Sequence, residues 1–320
     1  MSLPLFNKDP NFSIVAPGSC NAECSFCFSK GTNHQAVDLG TYIGNLSKTL
    51  YNLPEEFYQI SITGGEPLLS PYIIQILSTI YPFKMRYSNI LLTTNGTNLK
   101  ELFGTIAMSV DHINISRHHY DQDANLKIFG GTYKFMDSDI EEAINMYSTK
   151  GIDISANCVI NDSTTKEFIE NYIKWARGMG FSAVRFRKEN GDLSKTPVEC
   201  LYADHKITWE GSCPVCRTTQ QMIRGFDVYW KSSVLEPSDL ISNTVFELVY
   251  AHDGNCYMDW QYNRPVIVNP STNPYGNLFG GSYAYPKAPV SDVGACGKTK
   301  ARPSSSSCGG SSCGGSSSRC

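Results

Sequence analysis

The feature that most constrains the fold of this chain is the regular alternation of strand-like and helix-like segments over its first 190 residues. Short apolar runs rich in β-branched residues are typical of buried strands, and amphipathic stretches of helical period separate them here. The candidate strands are 57–62, 88–94, 111–116, 152–160 and 183–187, and the candidate helices are 38–51, 69–81, 137–149 and 164–179. Because a strand followed by a helix, repeated, favours a parallel sheet, we predict an α/β fold, a parallel α/β barrel. In such barrels, polar residues at the carboxyl ends of the strands are candidates for the site.

Three cysteines near the amino terminus, Cys20, Cys24 and Cys27, follow a C-x3-C-x2-C spacing. This spacing brings three thiolates into one short loop, which is typical of a metal centre that leaves one coordination position open. On these residues alone, three other interpretations remain open. They are a zinc site completed by His34, a redox pair formed by Cys24 and Cys27, and free buried thiols.

A glycine pair follows the strand predicted at 57–62, in the sequence Gly64-Gly65-Glu66-Pro67. Two residues without Cβ let a ligand approach the backbone, and Pro67 is expected to begin the next helix. Glu66 adds a carboxylate that can accept hydrogen bonds from an amino group. On its own, a tight strand-to-helix turn explains this sequence equally well.

Together, the cysteine motif with aromatic Phe26 before its last cysteine and the Gly-Gly-Glu-Pro turn resemble the radical S-adenosylmethionine (SAM) superfamily. The resemblance covers about residues 10 to 190, and viperin-like and molybdopterin-cyclising members are the most similar. It implies that the predicted α/β barrel is a partial (β/α)6 TIM-type barrel. It implies that Cys20, Cys24 and Cys27 bind three irons of a [4Fe-4S] cluster, whose fourth iron chelates SAM. In that superfamily, reductive cleavage of SAM gives a 5′-deoxyadenosyl radical that abstracts a substrate hydrogen. An electron donor such as flavodoxin or ferredoxin is implied as a partner.

The resemblance also implies binding roles for several residues at strand ends. Gly64, Gly65 and Glu66 receive the methionine amino end of SAM, while Ser116 and Asn157 contact its ribose and carboxylate. For the last two, a strand-end hydrogen bond to a loop is the alternative. The other cofactor-binding candidates are Phe26, Pro67, Thr94 and Asn95.

The dense polar run after the strand at 111–116 supplies tentative substrate-binding residues. They are Asn114, Arg117, His118 and His119. The planar fork of donors on Arg117 suits a carboxylate or a phosphate. Because neighbouring side chains of an extended chain point to opposite sides, we expect at most one of the two histidines to line the site.

Cysteines beyond residue 190 suggest a second metal site. Cys213 and Cys216 precede a hairpin predicted at 220–231, an arrangement that resembles the auxiliary-cluster extensions of many superfamily members. With Cys200 and Cys256 they would supply four ligands for a second [4Fe-4S] cluster or for zinc. The full cysteine spacing of the usual SPASM or twitch extensions is absent.

The 320 residues suggest a division into three parts. We predict the partial barrel over 1–190, a smaller C-terminal α+β extension with the possible second metal site over 191–268, and a disordered, flexible Gly/Ser/Cys-rich tail over 269–320. The repeated Cys-Gly-Gly-Ser-Ser unit of the tail leaves two sharper ideas open, a cysteine-bearing arm and a fused peptide substrate.

The net charge of −3 gives no signal for nucleic acid or an anionic membrane as a partner. No apolar stretch approaches the roughly 20 residues of a membrane span, and we expect a cytoplasmic protein. The sequence therefore predicts a radical SAM enzyme that acts on a nucleotide or small polar metabolite. The alternatives are a radical SAM peptide-modifying enzyme and, from another class, a non-catalytic zinc-binding module.

Overall fold

The computed structural model of the chain describes residues 5–27, 35–53, 59–87, 89–189, 206–210, 218–232, 244–258, 260, 262 and 265–266. Its strands are β1 (Leu5–Ala16), β2 (Gln59–Gly64), β3 (Asn89–Thr94), β4 (His112–Ser116), β5 (Asp153–Ile160), β6 (Ala183–Lys188), β7 (Ile207–Glu210), β8 (Thr219–Ile223), β9 (Phe226–Lys231), β10 (Thr244–Tyr250), β11 (Cys256–Tyr257) and β12 (Pro265–Val266). Its α-helices are α1 (Leu39–Asn52), α2 (Ile73–Ile80), α3 (Phe103–Ser109), α4 (Gln122–Phe129), α5 (Asp137–Ser148) and α6 (Lys166–Met179).

All twelve of these strands form one sheet, in the order β12-β11-β10-β1-β2-β3-β4-β5-β6-β9-β8-β7. Strands β1 to β6 are parallel and follow one another in chain order, which confirms the predicted α/β fold of partial-barrel type. Two further strands extend the parallel part, because β10 pairs with the outer edge of β1 and β9 with that of β6. Antiparallel strands complete both ends of the sheet.

The two faces of the parallel sheet differ in chemistry because apolar and polar residues alternate along its strands. In β4, Ile113 and Ile115 belong to the hydrophobic core, while His112, Asn114 and Ser116 alternate with them and point to the other face. The other central strands repeat this arrangement, and residues of all six helices pack with the apolar face in one core. The opposite face, here called the polar face, carries side chains such as Ser13, Gln59, Ser61, Ser155, Asn157, Arg185 and Arg187.

Helix α2 begins later than the sequence pattern indicates. We expected Pro67 to begin a helix, with helical pattern from 69 to 81, but Pro67–Leu69 forms a short 3-10 turn and α2 starts at Ile73. The reason is Pro71, since proline has no N–H to donate and disfavours helical conformation at the residue before it. Helices α3 and α4 were not predicted.

The hairpin predicted at 220–231 is confirmed, as strands β8 and β9 pair antiparallel around Arg224 and Gly225. Both turn residues have positive φ, 51° and 78°, as a two-residue turn of this hand requires. Strands β7 to β12 follow residue 190 in sequence and share the sheet of β1 to β6. The division into three parts stays a prediction, and the predicted tail lies outside the described residues. No helix in the described ranges has the length and apolar character needed to cross a bilayer.

A core substitution tests the packing of β4. Ile113 is fully buried, so Ile113→Ala should lower the free energy of unfolding by about 2–5 kcal/mol, through lost transfer energy and a residual cavity. Met85 is 97% exposed, and Met85→Ala should change it by less than about 0.5 kcal/mol. Urea denaturation followed by circular dichroism measures both. Equal effects of the two substitutions would contradict the assignment of Ile113 to the core.

Candidate functional site

Residues 17–27, here called the cysteine loop, leave the carboxyl end of β1 and carry the three motif cysteines. The side chain of Asn21 fastens this loop to the segment after β3. Its Nδ2 donates a hydrogen bond to Oγ1 of Thr97 at 3.0 Å, and Nδ2 of Asn95 donates to Oδ1 of Asn21 at 2.8 Å. The strand pattern of the sequence did not single out Asn21. Its amide, between the first two cysteines, can both donate and accept a hydrogen bond.

The connection between α4 and α5 holds the cysteine loop from another side. The N–H of Thr132 donates to the carbonyl of Asn21 at 2.9 Å, and the N–H of Glu23 donates to the carbonyl of Phe129 at 2.6 Å. Gly131 permits this approach, because a Cβ on it would lie 2.6 Å from the carbonyl oxygen of Asn21. The loop is therefore positioned by backbone bonds as well as by the Asn21 side chain.

The glycine pair at the end of β2 brings the cysteine loop close to the sheet. A Cβ on Gly64, whose φ is +155°, would lie 2.7 Å from the carbonyl oxygen of Ala16. A Cβ on Gly65 would lie 3.1 Å from the carbonyl group of Ser19 and 3.3 Å from Cβ of Cys20. At both glycines, the chain's own backbone thus occupies the space that a Cβ would need.

The carboxylate of Glu66 joins the ends of β2 and β3. Oε1 accepts hydrogen bonds from Oγ1 of Thr94 at 2.6 Å and from the N–H of Leu68 at 3.0 Å, while Oε2 accepts from the N–H of Asn95 at 2.6 Å. Burial raises the pKa of Glu66 to about 7, although these three bonds favour the charged form. The N–H of Glu66 donates to the carbonyl of Ser19 at 3.3 Å, so the same residue also contacts the cysteine loop.

The three motif cysteines are reduced thiols and lie in one short loop. Cys20 is exposed and Cys24 and Cys27 are half-buried. Burial, together with the negative charges of Glu66 and Cys27, raises the pKa of the Cys20 thiol, while an N–H···S bond from Ala22 lowers it. A bound cationic centre would reverse this balance, because metal binding releases the thiol protons.

In the described part of the chain, no group of three or more His, Cys, Asp or Glu side chains is arranged to hold a metal ion as it stands. A polynuclear cluster makes a different demand, since each thiolate binds its own iron. The donor set fits such a cluster, because it consists of three unoxidised thiols on one fastened loop. His34, the alternative zinc ligand, lies outside the described residues.

An aromatic stack starts at the cysteine motif. The ring of Phe26 meets the ring of His118 edge-on at 4.8 Å, His118 stacks on Phe129 at 4.9 Å, and Phe129 stacks on Tyr133 at 4.1 Å. The hydroxyl of Tyr133 donates to the carbonyl of Asn95 at 3.2 Å. The stack thus connects Phe26 of the cysteine loop, through His118 after β4, to Tyr133, which is bonded to Asn95 after β3.

A cavity of about 620 Å³ lies beside Phe26, over the carboxyl ends of β4, β5 and β6. Both His118 and His119 line this cavity, and the expectation that at most one of the two histidines lines the site stays a prediction. Strand β4 ends at Ser116, before these two residues, so the alternation of a strand is not imposed on them. The other residues around this cavity include Glu23, Ser25, Lys127, Asn161, Phe168 and Glu189.

The guanidinium of Arg117 is fully buried and has partners inside the protein. Its Nη2 lies 2.6 Å from Oδ1 of Asp137, and its Nε donates to the carbonyl of His119 at 2.9 Å. The contact with Asp137 is ionic rather than a well-aligned hydrogen bond. The guanidinium also lies over the ring of Trp175 at 5.1 Å. Arg117 therefore fastens the segment after β4 to α5 and α6.

The other strand-end candidates lie on the polar face. Ser116 and Asn157 are half-buried neighbours in register at the ends of β4 and β5. Asn114 is buried and accepts a short hydrogen bond from the hydroxyl of Ser155. Ser155 was missed by the sequence analysis, although the alternation of polar with apolar residues along β4, β5 and β6 would have indicated a polar face.

Ser155 is the centre of a buried polar cluster. Its hydroxyl lies 2.8 Å from Nε2 of His112 and accepts from Nε of Arg185 at 3.1 Å. The guanidinium of Arg185 lies 4.4 Å from the ring centre of Tyr229, but its buried Nη2 has no hydrogen-bond partner. Two residues further along β6, Nε of Arg187 is also buried without a partner. In the described ranges, no carboxylate forms an ion pair with either arginine.

The proposed ligands of a second metal site are only partly described. Cys256 is buried in the hydrophobic core, and its sulfur lies 3.9 Å from Oγ1 of Thr49 on α1. Cys200, Cys213 and Cys216 lie outside the described residues. The second site stays a prediction.

A family model, the Radical SAM superfamily, matches residues 14–176, which is half of the chain. The chain therefore belongs to the radical SAM superfamily, as the sequence analysis predicted. Similar structures include that of Streptococcus suis SuiB bound to S-adenosylmethionine, with a TM-score of 0.52, 13% identity, and coverage of 81% of this chain and 60% of that one. At this identity the likeness supports the fold alone.

Curated relatives are similar over part of their length. A protein of Thermococcus kodakarensis named "Probable GTP 3′,8-cyclase" is 28% identical over 165 residues, covering 50% of this chain and 52% of the relative. An "S-adenosylmethionine-dependent nucleotide dehydratase" of Flammeovirga pacifica is 26% identical over 184 residues, covering 52% and 58%. The chain thus spans about half the length of the curated relatives it matches.

A substitution at Gly65 tests how the glycine pair positions the cysteine loop. In Gly65→Ala the new Cβ meets the Ser19 backbone at 3.1 Å, so the loop must shift and the yield of cluster after anaerobic reconstitution should fall several-fold. Iron and sulfide analysis measures this yield. The absorption of thiolate-bound iron-sulfur centres, at about 400 nm, measures it independently.

The matched control is Gly104→Ala on α3, where a Cβ meets no atom within 4 Å. It should leave the cluster yield unchanged and favour the helix slightly. Equal iron content in the two variants would show that the close contact with Ser19 does not position the loop.

Proposed function

We propose that this chain is a radical SAM enzyme in which Cys20, Cys24 and Cys27 bind a [4Fe-4S] cluster. The observation that carries the proposal is the fastening of the cysteine loop by Asn21, Glu66 and the connection between α4 and α5. A structural zinc site would need a fourth protein ligand, whereas three thiols leave one position for an exchangeable ligand. The family match supports the same conclusion.

When bound, the cluster and SAM supply reductive cleavage to a 5′-deoxyadenosyl radical that abstracts a hydrogen atom from the substrate, with an external electron donor. The chain's own residues position and shield this chemistry. Gly64, Gly65 and Glu66 place the end of β2 against the cysteine loop. Their backbone would receive the methionine end of SAM. Ser116 and Asn157 present neighbouring polar groups on the polar face, where the ribose and carboxylate would be held.

The substrate is, we propose, a nucleotide or a small polar metabolite that carries an anionic group. Arg185 and Arg187 support this, because a buried guanidinium nitrogen without a partner is costly and a bound carboxylate or phosphate would satisfy it. The names of the curated relatives, a GTP cyclase and a nucleotide dehydratase, favour a nucleotide.

Cysteine substitutions test the proposed chemistry. After reconstitution with iron and sulfide, the wild-type chain should hold about four irons per cluster and release 5′-deoxyadenosine from SAM when reduced. Cys20→Ala, Cys24→Ala and Cys27→Ala should each abolish this release, as chromatography of the products would show. Cys158→Ala, at a buried cysteine of the apolar face, is the matched control and should retain it. If all three motif variants still released deoxyadenosine, or if the wild type bound zinc and left SAM intact, the proposal would be wrong.

Loss of one guanidinium tests the anionic substrate. The full chain should bind GTP or CTP more tightly than guanosine or cytidine, and Arg187→Gln should weaken nucleotide binding about tenfold or more, because one charge-assisted contact is removed. Equilibrium dialysis with labelled nucleotides measures this affinity. Lys150→Gln removes the same charge at an exposed turn and should have no effect. Equal affinity of wild type and Arg187→Gln for both triphosphates would exclude Arg187 from anion recognition.

A further inference from the structure

The backbone of Arg117 belongs to the ends of β4 and β5. Its N–H donates to the carbonyl of Asn157 at 2.9 Å, and its carbonyl accepts the hydroxyl of Tyr172 on α6 at 2.6 Å. Ser116, the residue before it, pairs with Asn157 in the sheet. A displacement of Arg117 would therefore move the two strand ends that carry the polar side chains of Ser116 and Asn157.

The side chain of Arg117 contacts a different part of the molecule, the first residue of α5. Its Nη2 lies 2.6 Å from Oδ1 of Asp137, where the N-terminal end of the helix dipole also favours a carboxylate. The N–H of Asp137 donates to Oε1 of Gln122, the first residue of α4, at 3.0 Å. Asp137 thus joins Arg117 to the beginnings of α4 and α5.

The connection between α4 and α5 leads directly into Asp137 and also holds the cysteine loop, since the N–H of Thr132 donates to the carbonyl of Asn21 at 2.9 Å. One ion pair thus joins two parts of the candidate site. Asp137 follows the segment that holds the cysteine loop, and Arg117 belongs to the ends of β4 and β5.

The buried charge of Arg117 depends on Asp137 for its compensation. Arginine stays protonated in proteins, and this guanidinium is fully buried. In the part of the chain that the structure describes, Asp137 is the one carboxylate that forms an ion pair with it. Its other close neighbour is the ring of Trp175, at 5.1 Å. Loss of the carboxylate would leave a buried cation without a counter-ion, which is costly enough to displace the segment that carries it.

We propose that Arg117 and Asp137 are a positioning pair for SAM, which sets the spacing between the cysteine loop and the ends of β4 and β5. The inference rests on the proposed function, in which SAM is bound both at the cluster of the cysteine loop and by Ser116 and Asn157. Arg117 acts here through its backbone and through Asp137, and its guanidinium does not have to touch the ligand.

Removal of the two charges, singly and together, tests the positioning pair in the full chain reconstituted with iron and sulfide. Arg117→Gln and Asp137→Asn should each weaken SAM binding about tenfold or more, measured by equilibrium dialysis. Because both substitutions break the same ion pair, the double variant should bind SAM no more weakly than either single variant. Asp137→Glu keeps the charge and should recover most of the affinity.

The iron content of these variants should stay close to that of the wild type, because Asn21 and Glu66 also hold the cysteine loop. The matched control is Glu142→Gln, which removes a carboxylate from an exposed ion pair of the same helix. Glu142 pairs with Lys100 at 2.9 Å, and its side chain is 57% exposed. SAM affinity should be unchanged in this control.

A direct contact between the guanidinium and a carboxylate of SAM would give a different result. Arg117→Gln would then weaken binding, whereas Asp137→Asn would leave it unchanged or strengthen it by freeing the guanidinium. That result would overturn the positioning role. Equal losses of iron and of SAM affinity in Asp137→Asn would also overturn it, because the pair would then only support the cysteine loop.

A second measurement needs neither cluster nor SAM. In the iron-free chain, hydrogen exchange followed by mass spectrometry should be about tenfold faster in Asp137→Asn than in the wild type at both 114–121 and 130–137, and unchanged at α1. Wild-type protection of 114–121 in this variant would contradict the proposal.

The two measurements separate this inference from the proposed function. Faster exchange at both segments, in a chain whose wild type leaves SAM intact, would reject the proposed function and leave the link between the two segments standing. Normal deoxyadenosine release by the wild type, with unchanged SAM affinity in Asp137→Asn, would reject the positioning pair and leave the proposed function standing.

Discussion

The candidate site depends on one buried carboxylate, that of Glu66. Its two oxygens accept three hydrogen bonds that hold the 3-10 turn after β2 and the beginning of the segment after β3. Asn95, fixed in this way, holds Asn21 of the cysteine loop. The position of three thiols therefore follows from an acidic side chain that does not have to touch iron, because a buried carboxylate requires its donors to stay in place.

Much of this arrangement could be predicted from local sequence. The parallel strands follow from apolar runs separated by helical periods, and the family follows from the cysteine spacing with the Gly-Gly-Glu-Pro turn. The role of the glycines could be predicted less well. Sequence indicates that Gly65 permits a close approach, whereas only the fold shows that the approaching atoms belong to Ser19.

Residues whose role depends on distant partners escaped prediction. The pairing of Arg117 with Asp137 is not revealed by a single sequence, and the expected role of Arg117 toward a ligand stays a prediction. Asn21 was missed because its partners come from beyond β3. The site roles of Ser116, Asn157 and the motif residues stay predictions.

The pairing of β10 with β1 has a consequence for folding kinetics. The strand that leads into the cysteine loop has β2 on one side, and its other edge pairs Leu5 with Thr244. Such a contact between remote parts of the chain raises the contact order, and the entropy of closing so long a loop slows its formation. During synthesis, one edge of β1 thus remains open until β10 has left the ribosome. The thiols of the nascent cysteine loop and this edge of β1 are therefore accessible to other chains for as long as the synthesis of β10 takes.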